Sequence, residues 1–336
     1  MNVSLSTPAP IPVASDPNAP FGTIQGAIAL NYRSAQLHQT SLEVSKSLGA
    51  NVITARYVGG FGRHIYQTYG NIDVPAPSAT TTSANLQSRR PYFAQLPNVT
   101  AIQEQLTGGT SSYNALQTEF QRRAAHGLTI SANYTWAHLL DNVSVSSLLP
   151  FQSSTYDYGN GFLDIRHRAA GAISYALPFG QSSHGAERLL IGGWQANVLG
   201  RWQTGIPFTV TNGAPRINVG VSSDRPDMIG NPNLDHPNIN HFFNAAAFAP
   251  QPLGTAGNSR VNNIHGPHQR SVDLSMLKDL PIADALRVQF RAEAFNVTNT
   301  PSFSVPNSNI SSSGVGIITS TTLIPRQLQF AVKLLF

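Results

Sequence analysis

The carboxy-terminal segment of the chain alternates between apolar and polar positions. Successive side chains of a β-strand point to opposite faces, so this alternation predicts a strand that is apolar on one face only. The polar positions include Gln329 and Lys333, and the sequence ends on an aromatic residue. The apolar set is Leu328, Phe330, Val332, Leu334 and Phe336.

The same period recurs along the chain and predicts about nine strands, with a possible tenth over residues 23–32. No segment carries a long apolar stripe of helical period. In the segment 286–294, Phe290 stands among the apolar positions, and the polar positions are Arg287, Gln289, Arg291 and Glu293. The clearest other segments are 128–136, 194–202 and 272–276, and weaker ones are 37–46, 51–60, 112–122 and 168–177.

Composition narrows the class of β-protein. Charged residues make up 11% of the chain, against about 25% in soluble domains, while 41% of the residues are hydrophobic. No run approaches the roughly 18 apolar residues of a transmembrane helix. An outer-membrane barrel needs apolar side chains only at alternate positions, where they meet lipid, and this fits low charge with ordinary apolarity. The sequence has no cysteine, which excludes disulfides and cysteine-based metal sites.

The spacing between the predicted strands is a second indication. Outer-membrane barrels alternate short periplasmic turns with long extracellular loops. Counted back from a last strand that ends in the periplasm, the long gaps are 299–324, 207–269, 141–165 and 61–111, and the shorter ones are 279–284, 178–188, 124–127 and 47–50. A Greek-key sandwich has no reason to alternate in this way. We therefore predict an all-β fold, an antiparallel transmembrane β-barrel.

Within such a barrel, the face of a residue predicts its surroundings. We expect the polar residues Arg287, Gln289, Arg291 and Glu293 to face the lumen. The aromatic residues expected to face lipid or to form the girdles at the rims are Trp136, Trp194, Trp202 and Phe290.

Three features outside the strands have competing interpretations. Residues 242–249 form an apolar island, which we interpret as a short helix packed over the barrel mouth rather than as a ligand contact. Asp164 is followed by Arg166 and Arg168, which favours salt bridging over metal or acid–base chemistry. We interpret four histidines as solvated loop residues because their spacing matches no set of metal ligands: His236, His241, His265 and His268.

The candidate chemistry is otherwise sparse. The net charge of +5 is spread without a long basic run, so we predict no nucleic-acid partner. The sequence shows no elbow motif for a serine nucleophile. We therefore predict no enzyme, no metal and no cofactor.

An ordered series of short motifs resembles the carboxy-terminal barrel portion of TonB-dependent outer-membrane transporters, in particular the Oar-like branch common in Acidobacteria. Each motif alone is weak, but their order is that of the family, and they cover roughly residues 35–336. The motifs lie at 112–117, 134–142, 163–168, 177–180, 192–195, 204–208, 243–249, 290–296 and 325–330.

This resemblance implies the barrel wall of a transporter or receptor in the bacterial outer membrane. Its partners would be outer-membrane lipid, the barrel-assembly machinery, a large ligand at the extracellular loops, and TonB through a plug region that this chain lacks. In such proteins the last strand resembles the signal that the assembly machinery reads, which assigns this role to the apolar set from Leu328 to Phe336.

The resemblance also implies a fragment. Full members have a signal sequence, a TonB box, a plug and a barrel of about 22 strands, whereas residues 1–22 lack the features of a signal peptide. We expect 1–22 to be a disordered or fragment amino-terminal segment and 23–336 to be a partial barrel of about 9–12 long strands. Two alternatives remain open: a passive porin-like or adhesin-like barrel with a structural or interaction role, and a soluble secreted β-protein.

Overall fold

The computed structural model describes residues 22–144, 149–153, 155–180, 184–283 and 286–336. The segments of period two form strands of one large sheet, and the connections add short strands, two short 3₁₀ helices and one short α-helix, α1 (Gly185–Ile191). The strands are β1 (Gly22–Ile28), β2 (Gln36–Leu48), β3 (Asn51–Tyr69), β4 (Val99–Ala125), β5 (Leu128–Asp141), β6 (Gly159–Asn160), β7 (His167–Ala176), β8 (Trp194–Gln203), β9 (Pro207–Phe208), β10 (Asp227–Met228), β11 (Phe248–Ala249), β12 (Ile264–His265), β13 (Gln269–Ala283), β14 (Leu286–Phe295) and β15 (Gln327–Leu335).

Nine long strands of the described chain follow one another through the sheet in the order β2, β3, β4, β5, β7, β8, β13, β14, β15. Every neighbouring pair in this series is antiparallel. The prediction of about nine antiparallel strands is therefore confirmed. The possible tenth strand is β1, which runs parallel to the start of β4 and ends before the predicted end at Tyr32.

Two strands are longer than predicted. β3 continues to Tyr69 and β4 begins at Val99. The β3–β4 register shifts between Gly62 and Ile65 and again between Ile65 and Gln67. Such irregularities insert an extra residue and break the period of two, which is why alternation ends at this point of the sequence.

Short and long connections lie at opposite ends of the sheet. At the end that we call the short-turn end, His126 and Gly127 join β4 to β5, and both have positive φ angles, 53° and 75°. Two such residues match the twist of a hairpin in a type I′ turn. The β7–β8 connection at the same end contains α1, which the sequence did not predict. At the other end, the long-loop end, the connections are 70–98, 142–166, 204–268 and 296–326.

The pairing register gives the sheet two distinct faces. Directly opposed residues of an antiparallel pair lie on the same face, so the pairs Lys278–Trp194, Lys278–Phe290 and Phe290–Val332 place these residues together. We call this side the aromatic face. The opposite side, which carries the residues between them in sequence, such as Gln289 and Arg291, is the polar face.

The long connections fold into a layer with its own apolar packing. One cluster joins residues 243–248 to β9 and β12, and it confirms the packed interpretation of the island at 242–249, which contains a short 3₁₀ helix, Ala245–Ala247. Its buried members are Phe208, Val210, Phe243, Ala247, Phe248 and Ile264. A second cluster joins three connections through Val74, Leu149, Ile217 and Val219.

The sheet is open on both sides in the described part of the chain. There, β2 pairs only with β3, and β15 pairs only with β14. All residues of β2 are exposed. Among the described residues, no helix is long and apolar enough to cross a membrane.

Candidate functional site

A cleft of about 670 Å³ opens at the long-loop end of the sheet. Residues of three long connections form its walls, and the first residues of β4 contribute Thr100 and Ala101. Tyr156 and Asp157 come from the 142–166 connection, and Arg225 comes from the 204–268 connection. The lining therefore brings together residues that lie far apart in the sequence.

A buried ion pair forms one wall of the cleft. Arg225 Nη2 lies 2.9 Å from Asp157 Oδ1 and donates a hydrogen bond of 3.1 Å to the Tyr156 carbonyl oxygen. The guanidinium also stacks on the Tyr156 ring, with Arg225 Cζ 3.9 Å from the ring centroid. Burial raises the pKa of Asp157, although Arg225 opposes this shift. The pair fixes both charges in place and holds two long connections together.

A second arginine is held on the opposite connection, 70–98. Arg90 donates to the carbonyl oxygen of Asp73, and its Nε donates to Gln87 Oε1 at 2.8 Å. Burial lowers the pKa of Arg90. Asp73 accepts a hydrogen bond of 2.9 Å from the Tyr92 backbone N–H at Oδ1, while its Oδ2 is buried and has no hydrogen-bond partner among the described residues.

Asp224, which also lines the cleft, organises the long 204–268 connection. Its Oδ2 accepts hydrogen bonds of 2.6 Å from the backbone N–H groups of Arg216 and Ile217 and one of 2.9 Å from Gln251 Nε2. Its Oδ1 accepts a hydrogen bond of 2.6 Å from Asn212 Nδ2. A carboxylate with several donors holds the backbone around it in one conformation. The cleft is thus a preformed surface of fixed charges and amide groups, suited to binding a polar ligand.

The family of the chain agrees with this architecture. A family model described as "Outer membrane beta barrel domain" matches residues 2–329. The chain belongs to this family. A barrel domain of the outer membrane accounts for the antiparallel order of the strands and for the two faces of the sheet.

Solved structures similar to this outer-membrane barrel domain are much longer than the chain. The outer membrane transporter YddB from Escherichia coli matches 94% of the chain with a TM-score of 0.48 and 8% identity, over 34% of its own length. The FrpB iron transporter from Neisseria meningitidis matches 91%, with a TM-score of 0.42 and 13% identity, over 32% of its length. BauA, the ferric preacinetobactin receptor from Acinetobacter baumannii, matches 89%, with a TM-score of 0.44 and 10% identity, over 29% of its length. The chain spans about a third of the length of these structures. No curated protein matches the sequence.

The predicted girdle residues of the barrel domain all lie on the aromatic face. Trp194 is the first residue of β8 and Trp202 stands near its end, so β8 carries a tryptophan at each end on the same face. Trp136 pairs with His167, the first residue of β7, close to Trp202. Phe290 lies towards the short-turn end, between Lys278 and Val332.

The carboxy-terminal strand is the edge strand β15. Leu328, Phe330, Val332 and Leu334 lie on the aromatic face, opposite Ala294, Ala292, Phe290 and Val288 of β14. Phe336 follows the last residue of β15 and is 99% exposed. The residues assigned to assembly are therefore accessible along one open edge of the sheet.

The predicted lumen residues Arg287, Gln289, Arg291 and Glu293 lie together on the polar face of β14. Side chains of this face bind one another across strands: Gln289 Nε2 donates to Asp279 Oδ1 at 2.9 Å, and Arg56 Nε donates to Glu43 Oε2 at 2.6 Å. The polar face also carries the buried strand residues Ala115, Ala137 and Ser271. Ala137 lines one hollow together with Leu163, Asp164 and Ile165. The 142–166 connection thus covers part of the polar face.

Asp164 forms a salt bridge with Arg166, as its sequence context predicted. Its Oδ2 lies 2.9 Å from Arg166 Nη2 and 3.3 Å from His265 Nε2, and its Oδ1 accepts a hydrogen bond of 2.7 Å from the Leu139 N–H. The interpretation of His265 as a solvated histidine is therefore wrong, because it joins one long connection to another. Among the described residues, no group of three or more His, Cys, Asp or Glu side chains is placed to hold a metal ion.

Acidification is expected to loosen this junction. Burial raises the pKa of Asp164, but the bonds from His265, Leu139 and Arg166 outweigh it and hold the pKa below its usual value. A carboxylate with a lowered pKa stabilises the fold above its ordinary pKa, and this contribution is lost as the pH falls through the lowered value, below about pH 4. Asp164→Asn should weaken the junction by about 1–3 kcal/mol at neutral pH.

Hydrogen exchange of the Leu139 amide measures this effect. We expect faster exchange in Asp164→Asn and a loss of protection on acidification in the unaltered protein only. Asp235→Asn, an exposed change in the 204–268 connection that carries His265, is the control and should leave exchange at Leu139 unchanged. An acid response that persists in Asp164→Asn would contradict the assignment.

Sequence reasoning missed the residues of the cleft. Asp157, Arg225 and Asp224 stand in segments rich in Gly, Ser and Pro, where no period marks a face. Their contacts depend on how three connections fold against one another. The only local signals were the turn residues, which predicted loops without their partners.

Proposed function

We propose that the chain forms the carboxy-terminal part of the barrel wall of a TonB-dependent outer-membrane transporter or receptor, and that its long-loop end contacts a large ligand. One observation carries this proposal: an antiparallel sheet of the family's barrel type ends in long connections that fold into a preformed, charged cleft at the long-loop end. The ordered motifs that resemble the Oar-like branch support it. The proposal assigns no catalytic reaction to the chain.

The open edges of the sheet support the proposal that the chain is part of a larger barrel. Backbone N–H and C=O groups that are unpaired in lipid each cost several kcal/mol, on the order of the transfer cost of an amide. β2 and β15 therefore need partners, which the rest of a larger barrel would provide. A plug and a TonB box outside these residues would provide the contact with TonB, and the barrel wall would need none of its own.

The two faces support a definite orientation. In this proposal the aromatic face, with Trp136, Trp194, Trp202 and Phe290, contacts lipid, and the polar face lines the lumen. The long-loop end is extracellular and the short-turn end is periplasmic. The apolar edge from Leu328 to Phe336 meets the barrel-assembly machinery during insertion.

Single cysteines test this orientation, because the sequence contains none of its own. We expect a membrane-impermeant maleimide to label Asn240→Cys, in the 204–268 connection, on intact cells. Glu187→Cys, in α1, should be labelled only after the outer membrane is permeabilised. Both positions are exposed in the structure, so access to the reagent alone sets the difference. The reverse pattern would contradict the orientation.

The size of the native protein tests the larger claim. An antibody against the long loops is used to isolate the protein from outer membranes, and intact mass and amino-terminal sequencing follow. We expect one polypeptide well above 36.0 kDa with a plug and a TonB box before these residues. A polypeptide with no plug would instead favour the passive porin-like or adhesin-like barrel.

A further inference from the structure

A lysine on the aromatic face lies at the short-turn end. Lys278 stands on β13 directly opposite Trp194 of β8 and Phe290 of β14. The residue is 6% exposed, and its Nζ lies 5.3 Å from the centroid of the Trp194 ring. None of the ion pairs found among the described residues includes Lys278. An ammonium group on a surface that faces lipid is costly unless an anion or the interface satisfies it.

The short helix α1 is fastened beside this lysine. Lys278 Nζ donates to the carbonyl oxygen of Gly192, immediately after α1, and Trp194 Nε1 donates to the carbonyl oxygen of Leu190 at 3.1 Å. Both donors belong to the aromatic face, so α1 lies against the rim of that face. Leu189, Leu190 and Ile191 of α1 are exposed, Leu190 to 73%. Exposed apolar side chains at this position fit a helix that rests in the interfacial layer of a membrane.

A second positive charge lies close to the same point. Arg188 is an exposed residue of α1, and its carbonyl oxygen accepts the hydrogen bond of the Gly192 N–H at 3.0 Å. The Arg188 side chain starts close to Gly192, since its Cγ lies 3.6 Å from the place that a Cβ on Gly192 would take, and Lys278 Nζ binds the carbonyl oxygen of Gly192. An exposed arginine side chain that starts beside a lysine can supply a second cation for a phosphate group at this rim.

An apolar groove of about 450 Å³ runs from Lys278 and Trp194 across the aromatic face. Its lining includes the apolar side chains of Met276, Phe290, Phe330 and Val332 and the small side chain of Ala292. A groove of this composition, next to two cations, suits an acyl chain attached to an anionic headgroup.

We propose that Lys278 and Arg188 bind the headgroup phosphate of an anionic phospholipid of the periplasmic leaflet, with one acyl chain in the groove over Ala292. The proposal rests on the contact of the aromatic face with lipid. It is independent of what the barrel carries, so a passive barrel would leave it intact.

Native mass spectrometry of the complete protein, purified from outer membranes and stripped of lipid in mild detergent, tests the site. The probes are phosphatidylglycerol and phosphatidylcholine with identical acyl chains. Each Lys or Arg near an anionic lipid is worth roughly a fivefold change in affinity, so we expect the first phosphatidylglycerol to bind at least about fivefold more tightly. Equal affinity for the two lipids would overturn the proposal.

Variants of the site distinguish the contribution of the positive charge to lipid binding from the contribution of the groove. Lys278→Gln keeps a donor for Gly192 but removes the charge, and it should reduce the preference by about fivefold, whereas Lys278→Arg should retain it. Arg270→Gln is the matched control, because Arg270 lies on the same face of β13, opposite Trp202 at the far end, and it should change nothing. Ala292→Leu should lower the affinity for both lipids, because the larger side chain fills the groove. The proposal would be overturned if Lys278→Gln kept the preference for phosphatidylglycerol. It would also be overturned if inorganic phosphate, at the same concentration as the lipid, competed with phosphatidylglycerol for the site.

Discussion

Leu274→Arg is expected to destabilise the inserted barrel by about 2–4 kcal/mol. Leu274 lies on the aromatic face of β13, midway between Arg270 and Lys278, and opposite Val198, which is midway between the two tryptophans of β8. If those tryptophans mark the two interfaces, Leu274 faces the middle of the hydrocarbon layer. An arginine at that depth must hold its charge in lipid or distort the bilayer, whereas the apolar side chain of leucine is favourable in the hydrocarbon layer.

The control for this substitution is Gln289→Arg on the polar face. Gln289 already donates a hydrogen bond to Asp279, and an arginine at the same position meets the same carboxylate in a watery lumen. We expect its effect to be close to zero. Phe290→Arg, near the short-turn end and opposite Lys278, should cost less than Leu274→Arg because charge near an interface costs about 0–1 kcal/mol. The measurement is the urea dependence of folding into liposomes, followed by heat-modifiable migration in gels. Equal costs at 274 and 289 would rule out a lipid-facing aromatic face.

The strands could be predicted because burial on one face alone imposes a period of two. In β5, every residue from Leu128 to Trp136 follows that period, and in β15 only Ala331 and Leu335 depart from it between Leu328 and Phe336. The register places the paired residues of both strands on the predicted faces. The prediction stopped where the backbone became irregular, as after Gly62 of β3. It also gave no helix for α1, because seven residues are too few to show a helical period.

The loop layer illustrates why the cleft was beyond sequence reasoning. The apolar island at 242–249 was recognisable, since seven of its eight side chains are Phe or Ala, and its packed state followed from hydrophobicity. The position of the Arg225 side chain, by contrast, depends on its contacts with Tyr156 and Asp157, which lie on another connection. Contacts between loops depend on the closure of several long segments at once, and a single sequence carries no period or spacing that encodes them. The residues of the cleft can therefore be identified only in the folded structure, whereas the strands of the sheet can be predicted from the sequence.

Deletion of Phe336 is expected to abolish most insertion into the outer membrane. The residue is 99% exposed, so its removal takes away almost no buried apolar surface from this chain. Even full burial of such a side chain against lipid or a neighbouring strand would contribute only about 1.5–3 kcal/mol. If Phe336 served stability alone, most of the protein would still insert and would merely unfold more easily.

A role in recognition predicts a different result, because the assembly machinery would read the edge of β15 before the barrel closes. Main-chain hydrogen bonds of an added strand supply affinity, and pockets for alternate side chains supply specificity. The matched control is Phe330→Ala, which removes an exposed aromatic ring from the same face of the same strand but leaves the terminal residue in place. We expect surface-exposed protein, measured by external labelling of Asn240→Cys, to fall far more for the Phe336 deletion than for Phe330→Ala, with the missing protein degraded in the periplasm. Equal losses in the two variants would show that the aromatic face contributes only through contact with lipid. Normal insertion without Phe336 would show that the terminal residue is not part of the assembly signal, and it would leave the barrel fold unaffected.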